Sequence, residues 1–356
     1  MRPLARSAGR VTRHTLEDPD MTTRTEARSR ARLALGGAGP EELAADFART
    51  IARGFAASPR AVPFHALLDA AGVRLLRELA ELPEHYVVQA ERQTLAERAD
   101  AAALYFPRGT PTVIEHGVVD VERTSQLLAP LVRHFGTLPY VAVGPHPEAI
   151  EPACRRLAAA HPGLQARGVV GRIEDAVREL RATPGPRLLF WPGGGAGGYE
   201  RSDAIAVLRG IGAALGGSDL LIAGIDLRKD PRAIERASND RKGVTRALRL
   251  NLVARINREL GGNLDPDLFR ERIAYDPETG RLDAHVISRR AQTARIEALD
   301  LDVSFAKGEA IRVETATKFS PQEIDAAAEA ASLVVLERWY DRDGRVAVNL
   351  MRLRGR

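Results

Sequence analysis

Thr112-Val113-Ile114-Glu115-His116-Gly117 is a short apolar run closed by a glycine, and a helical segment, Glu122–Phe135, follows it. The alternation continues down the chain. Tyr140–Gly144 leads to Pro147–Ala160, and Ala166–Val170 leads to Ile173–Arg181. Arg187–Trp191 runs through a Gly-rich loop into Ser202–Leu215, and Asp219–Asp226 is the next strand. Strands alternating with helices of ~10–15 residues are βαβ units, and they build a doubly wound, mostly parallel α/β sheet with helices on both faces. Ligands of such sheets bind beyond the carboxyl ends of the strands, where the strand order reverses. Residues 115–121, 144–147 and 192–200 are therefore expected around one crevice.

Outward from this core the pattern changes. Residues 228–261 read as helical and charged, and 273–287 and 296–314 as antiparallel strand regions. The first of these turns at Asp276-Pro277-Glu278-Thr279-Gly280. Pro321–Ala331 reads as a helix, and Leu333–Trp339 with Val346–Leu353 as a closing antiparallel hairpin. On the amino side, Thr25–Arg53 carries helical Ala/Leu/Arg patterning, and Leu75–Leu79 reads as a helix stopped at Pro83. Residues 1–24 are polar and basic without hydrophobic period and are expected to be disordered. The expected division is a doubly wound domain, 89–228 plus 317–356, and a second α+β domain, 25–88 plus 229–316.

The 356 residues are 44% hydrophobic and 28% charged, which excludes wholesale disorder. No apolar run reaches the ~18–20 residues of a membrane-spanning helix. The net charge of +5 comes from 52 Lys+Arg against 47 Asp+Glu, without a basic stripe interleaved with aromatics. We therefore expect no nucleic-acid and no membrane partner. Cys154 is the single cysteine, so neither an internal disulfide nor a Cys/His zinc site is expected. The basic N-terminus lacks the apolar core of a secretory signal, and a cytoplasmic setting is the expectation.

Eight short motifs share one order and spacing. They are Leu82-Pro83-Glu84-His85-Tyr86, Glu115-His116-Gly117, Phe190-Trp191-Pro192-Gly193 with Gly197, and Asp226-Leu227-Arg228-Lys229-Asp230. Gly243-Val244-Thr245, Asn251…Ile256-Asn257-Arg258-Glu259-Leu260, Arg295-Ile296-Glu297 and Lys307-Gly308-Glu309…Glu314…Lys318-Phe319 complete them. In these the chain resembles the S-adenosylmethionine-dependent histidine Nα-methyltransferases of ergothioneine biosynthesis, from about Phe64 to Arg354. The resemblance implies a Rossmann-like methyltransferase domain beside a substrate domain. It also implies S-adenosylmethionine as cofactor and a small amino-acid-like amine as substrate. On it, Glu115, Gly117, Arg123, Gly193 and Gly197 are the cofactor-binding positions, and His85, Tyr86 and Glu314 the substrate-binding ones.

The chain departs from the family at defined places. The family's cofactor loop, Glu-Leu-Gly-Ser-Gly-Thr, is Glu115-His116-Gly117-Val118-Val119-Asp120 here. A β-branched residue replaces the second glycine, which lets the backbone approach a ligand. The family's ribose-binding Asp is Gly144, and its adenine-reading Asp-Phe is Arg172-Ile173. Neither replacement side chain accepts a hydrogen bond. The Asn and Tyr that grip the substrate carboxylate are Gly198 and Ser238; the imidazole-reading Glu is kept as Glu314, but its Ser partner is Ala316. Two Tyr near the amine are Leu68 and His85. Histidine is therefore not the expected substrate.

His85 and Glu314 are the candidate catalytic residues, His85 as a general base near neutral pH. His65 and His85 could instead hold a metal with Glu314. His116 is expected to pack into the core, and His134, His161 and His285 to lie on the surface. Two functions stay open: methylation of an amine other than histidine's, or a family member that has lost the cofactor and works as a repurposed enzyme or a binding protein. The sequence does not set the oligomeric state; a monomer is the expectation.

Overall fold

The computed structural model describes residues 35–107, 109–118, 120–193 and 195–355. The expectation of disorder for 1–24 lies outside them. The first elements are strand β1 (Leu35–Gly37) and helices α1 (Pro40–Ala56), α2 (Ala70–Ala80) and α3 (Tyr86–Arg98). Then come β2 (Thr112–His116), α4 (Val121–Phe135), β3 (Leu138–Gly144), α5 (Pro147–Ala160), β4 (Leu164–Val170) and α6 (Ile173–Ala182). β5 (Arg187–Trp191), α7 (Arg201–Gly212) and β6 (Leu220–Asp226) complete the alternation.

Where Thr25–Arg53 read as helical, the structure differs. Gly36, Gly37 and Gly39 weaken a helix, and Pro40 can only begin one. Leu35–Gly37 therefore pairs parallel with Gly168–Val170 of β4, and α1 starts at Pro40.

The eight strands of the main sheet run in the order β1-β4-β3-β2-β5-β6-β13-β12, with β12 (Leu333–Tyr340) and β13 (Val346–Leu353) the closing hairpin. All pairs from β1 to β6 are parallel, whereas β13 is antiparallel to both β6 and β12. From β2 the chain winds outward first through β3 and β4, then on the other side through β5 and β6. The order thus reverses between β2 and β5, and their carboxyl ends flank the crevice. Every residue of β6 is buried, as a strand covered on both faces requires.

Between β6 and the hairpin lie α8 (Pro231–Ser238), α9 (Val244–Leu260), β7 (Phe269–Asp276), β8 (Arg281–Ser288), β9 (Gln292–Ile296), β10 (Leu301–Phe305), β11 (Ala310–Thr317) and α10 (Pro321–Ala330). The charged helical stretch is two helices rather than one, because Gly243 takes a left-handed φ of 75° at the start of α9. β7, β8 and β11 form a three-stranded antiparallel sheet, and β9 with β10 a separate ribbon. One apolar cluster gathers Ile114, Val143, Leu189, Ile225 and Ile324 around the main sheet. A second gathers Phe47, Leu67, Leu252, Phe269, Ile296 and Phe305 from α1, the 3-10 turn Phe64–Leu67, α9 and the antiparallel strands. Among the described residues no helix is long and apolar enough to cross a membrane.

Candidate functional site

Three ion-paired groups, buried or half-buried, meet near His85. This residue caps the start of α3, but its side chain makes no capping bond. Its Nδ1 is buried without a hydrogen-bond partner. Burial pushes the imidazole down to about 4, with Lys318 adding to the shift and Asp226 and Glu314 opposing it. His85 is thus neutral over the ordinary pH range. It is an acceptor or donor of hydrogen bonds rather than a base tuned to pH 7.

The first pair sits at the end of β6. Tyr86 Oη donates to Asp226 Oδ1 at 3.0 Å, Lys318 Nζ reaches Oδ2 at 2.7 Å, and Lys229 binds Oδ1. Lys229 also donates to Tyr86 Oη at 2.8 Å and lies 4.5 Å from its ring centroid. Burial alone would raise the Asp226 carboxyl, but Lys318 and Lys229 outweigh it and hold it below the usual carboxylate range. Tyr86, a candidate for substrate contact, is engaged in this network.

The second pair fixes Glu314. Arg249 of α9 donates Nε at 3.1 Å and Nη2 at 3.0 Å to Glu314 Oε2. Its Nη1 reaches Glu271 Oε2 and the Ser238 carbonyl, each at 2.8 Å. Arg249 is buried, and Glu314 half-buried.

The third pair joins α3 to α4. Arg123 Nη1 meets Glu91 Oε2 at 3.0 Å, both side chains buried. Both oxygens of Glu91 also accept from Gly193 N at 2.9 Å. Gly193 holds a φ of 73°, which glycine takes without strain. Arg123 and Gly193, both expected at the cofactor, therefore meet around a carboxylate from the chain itself.

The other expected positions divide. Gly117 has a φ of 88°, its N–H donates to the Val143 carbonyl, and nothing stands within 4 Å of where a Cβ would lie. It leaves open space at the crevice. Gly197 instead packs, since a Cβ there would stand 3.0 Å from the Thr317 carbonyl. Glu115 is fully buried, accepting from Tyr140 Oη at 2.7 Å and Thr124 Oγ1 at 2.9 Å. Burial pushes its carboxyl up to about 7 against the pull of Arg123.

His65 does not share His85's surroundings. Its charged neighbours are Arg172, Asp46 and Arg255, and it is coupled to His146. Among the described residues no group of three or more His, Cys, Asp or Glu side chains is arranged to hold a metal. His116 is half-buried and pushed down to about 4 by burial, while His285 is half-buried on β8 rather than exposed. A cavity of about 510 Å³ opens at the amino ends of β3 and β4, away from these groups, with Arg167 and Glu179 of its lining paired to each other.

Glu91, Asp226, Lys318 and Arg249, which build these ion pairs, were not singled out as site candidates from the sequence. Asp226 carried the one usable signal: a carboxylate closing an all-apolar strand on the side where ligands bind.

The model of the histidine-specific, S-adenosylmethionine-dependent methyltransferase family matches residues 47–353. The histidine N-alpha-methyltransferase of Mycolicibacterium smegmatis is 31% identical over 319 residues, 86% of this chain and 97% of that protein. Its namesake from Mycobacterium tuberculosis is 29% identical over 85% of this chain and 93% of its own length. An L-tryptophan methyltransferase of Psilocybe serbica is 26% identical, over 82% and 88% respectively.

Proposed function

We propose, from the premise that this chain belongs to the S-adenosylmethionine-dependent, histidine-specific methyltransferase family, that it methylates the amine of a small amino-acid-like substrate other than histidine. The observation that carries this reading is the unpartnered Nδ1 of neutral His85 among Lys318, Asp226, Glu314 and Arg123. An amine attacks through its lone pair, so it must arrive neutral and oriented. A neutral imidazole nitrogen accepts one of its N–H groups and turns the lone pair away. With His85 held near 4, the amine's proton leaves to water rather than staying on the imidazole.

Histidine suits the site poorly. The imidazole-reading carboxylate has one oxygen filled by Arg249, and Ala316 offers no hydroxyl. Gly198 has no side chain, and the Ser238 carbonyl is itself bonded to Arg249.

The family's donor is S-adenosylmethionine, and the residues present fit only part of it. The open space above Gly117 suits its amino-acid end. At the sugar and base, Gly144 supplies no acceptor and the Arg172 guanidinium is paired with Asp46 of α1. These do not fit a nucleoside that needs carboxylates for its hydroxyls and amine, so the chemistry assigned to this chain stays at the substrate amine.

That mismatch favours a second reading, in which the fold no longer binds the donor. Calorimetric titration with S-adenosylmethionine decides between the two. Heat, followed by labelled methyl transfer to an amino-acid amine that His85→Phe slows by about a hundredfold through loss of its orientation, is the outcome expected of the first. Silence at millimolar donor leaves the second.

A further inference from the structure

The three-stranded antiparallel sheet turns Glu271 of β7 toward Arg249 of α9, so Arg272 points to the opposite face. On that outer face one cross-strand row is basic from end to end. Arg272 of β7 stands opposite His285 of β8, and His285 stands opposite Arg312 of β11. Such neighbours have Cβ atoms ~4.5–5.5 Å apart. Arg281 shares the face, four residues before His285 on β8. The Arg249–Glu314 pair lies on the α9 side of the same sheet, so this row is separate from the crevice.

Two costs meet in the row. Nδ1 of His285 is buried without a hydrogen-bond partner, which native structures rarely tolerate. Like charges side by side on a sheet are destabilising, yet two guanidiniums flank this one imidazole. The nearby carboxylates do not cancel them. Asp283 is taken by Arg281 Nε at 2.8 Å and by Thr315 Oγ1 at 2.7 Å. One oxygen of Glu200 accepts from Arg312 Nη1 at 2.6 Å and from Arg281 Nη2 at 3.2 Å. Arg272 is exposed, with neither a hydrogen bond nor an ion pair among the described residues. Three guanidiniums thus face two carboxylates, and the surplus charge sits beside the orphaned nitrogen.

The row keeps donors in hand. Arg272 offers all of its N–H groups, and Arg312 spends Nη1 alone, leaving Nε and Nη2 unused among the described residues. Burial holds the His285 imidazole below its ordinary range; Asp283 opposes the shift, and Arg272, Arg312 and Arg281 add to it. The ring is therefore neutral, and the tautomer with its proton on Nδ1 is a further donor. Ala274, opposite Asp283 on β7, is small and exposed, so the face stays open beside the row. Donors from three strands converge from separate directions. That arrangement suits a tetrahedral oxyanion, whose oxygens the guanidinium fork matches in pairs.

We infer that the Arg272–His285–Arg312 row binds a phosphate group, carried as the free anion or as the monoester of a small metabolite. Arg272 and Arg312 are two strand spacings apart, ~10 Å, so their long side chains close on one phosphate from two sides. His285 donates to it from the strand between them. Binding satisfies the orphaned nitrogen and neutralises the surplus charge together. It requires neither a methyl donor nor an amine, and it stands whichever reading of the crevice holds.

The test is calorimetric titration of the full chain with inorganic phosphate and with ribose 5-phosphate, at constant ionic strength, with ribose as the uncharged control. At least one of the two phosphates should bind at millimolar concentration or below, and ribose should not. Arg272→Met should weaken that binding at least about tenfold, and Arg272→Lys by less. Arg272 is exposed and unpaired, so both variants should melt with the native protein. His285→Phe keeps a ring but removes the donor, and it should weaken binding as well. Arg246→Met removes the same charge from an exposed position on α9 and should change the affinity less than about twofold. A tighter ester assigns the site to a phosphorylated metabolite, and an equal or weaker one to the free anion; both uphold it. No heat from either phosphate at about 10 mM, or equal weakening by Arg272→Met and Arg246→Met, would overturn the inference. So would full affinity in a folded His285→Phe.

Discussion

Glu115 ends a strand aimed at the crevice, yet its carboxylate is spent on Tyr140 and Thr124 inside the sheet. Its carboxyl is raised from 4.5 to about 7 by burial. A raised carboxyl contributes no cost below pH 4.5, where folded and unfolded chains are both protonated. The cost grows as pH rises toward 7, because the unfolded chain gives up its proton first, and reaches a few kcal/mol. Gln is nearly isosteric and fits the same bonds: its carbonyl accepts from Tyr140, and its amide donates to Thr124 Oγ1, which can bond the Asp120 carbonyl. Glu115→Gln should match the native protein in urea unfolding near pH 4.5 and exceed it at pH 8 by roughly 1–3 kcal/mol. A loss at pH 8 would mean that the ionised carboxylate is needed by Arg123. The sequence showed a carboxylate at the right strand end but not its direction. Its partners lie 9 and 25 residues away, beyond any local pattern. His85 is the opposite case: the odd residue in a family motif stands where the ion pairs meet, and only its depressed basicity was hidden, since burial is a property of the fold.

At the scale of elements, the parallel series was legible because strands buried on both faces read as unbroken apolar runs. Helix α3 was not. Its outward turns are polar, and Glu91 sits in its middle although it is almost fully buried. The packing of α3 on the sheet depends on a glycine of β6. A Cβ at Gly224 would stand 1.7 Å from Glu91 Oε1. Gly224→Ala must therefore displace Glu91 from Gly193 N and Arg123, leaving a buried guanidinium without its counterion. Breaking such a pair costs about 3–5 kcal/mol. Glu91→Ala alone should cost a similar amount. In the double variant the two losses should overlap, giving a coupling energy above about 1 kcal/mol in a denaturant double-mutant cycle. Strict additivity would show that Gly224 is tolerated by a shift of the sheet instead.

For the whole molecule, four imidazoles fold in the neutral form. Burial pushes His65, His85 and His116 down to about 4 and His146 to about 3, from 6.5 in an unfolded chain. Above pH 6.5 neither state holds these protons, and they contribute nothing to pH dependence. Between 6.5 and 4 the unfolded chain takes them up and the folded one does not, so stability falls as pH is lowered. Each group acts with a slope of at most about 1.4 kcal/mol per pH unit. Glu115 works in the other direction over the same range and cancels about one of the four. The site and the stability are thus linked, because the crevice keeps its histidines neutral by the burial that makes the fold acid-sensitive. Calorimetric melting from pH 8 to 5 should show a plateau above about 6.5 and a steep decline below it. His116→Leu, which removes an imidazole whose charged neighbour is Asp175, should flatten that decline by about a third. A melting temperature unchanged from pH 7 to 5 would mean that these imidazoles are hydrated in solution, and with them the crevice that His85 shares with Lys318 and Glu314.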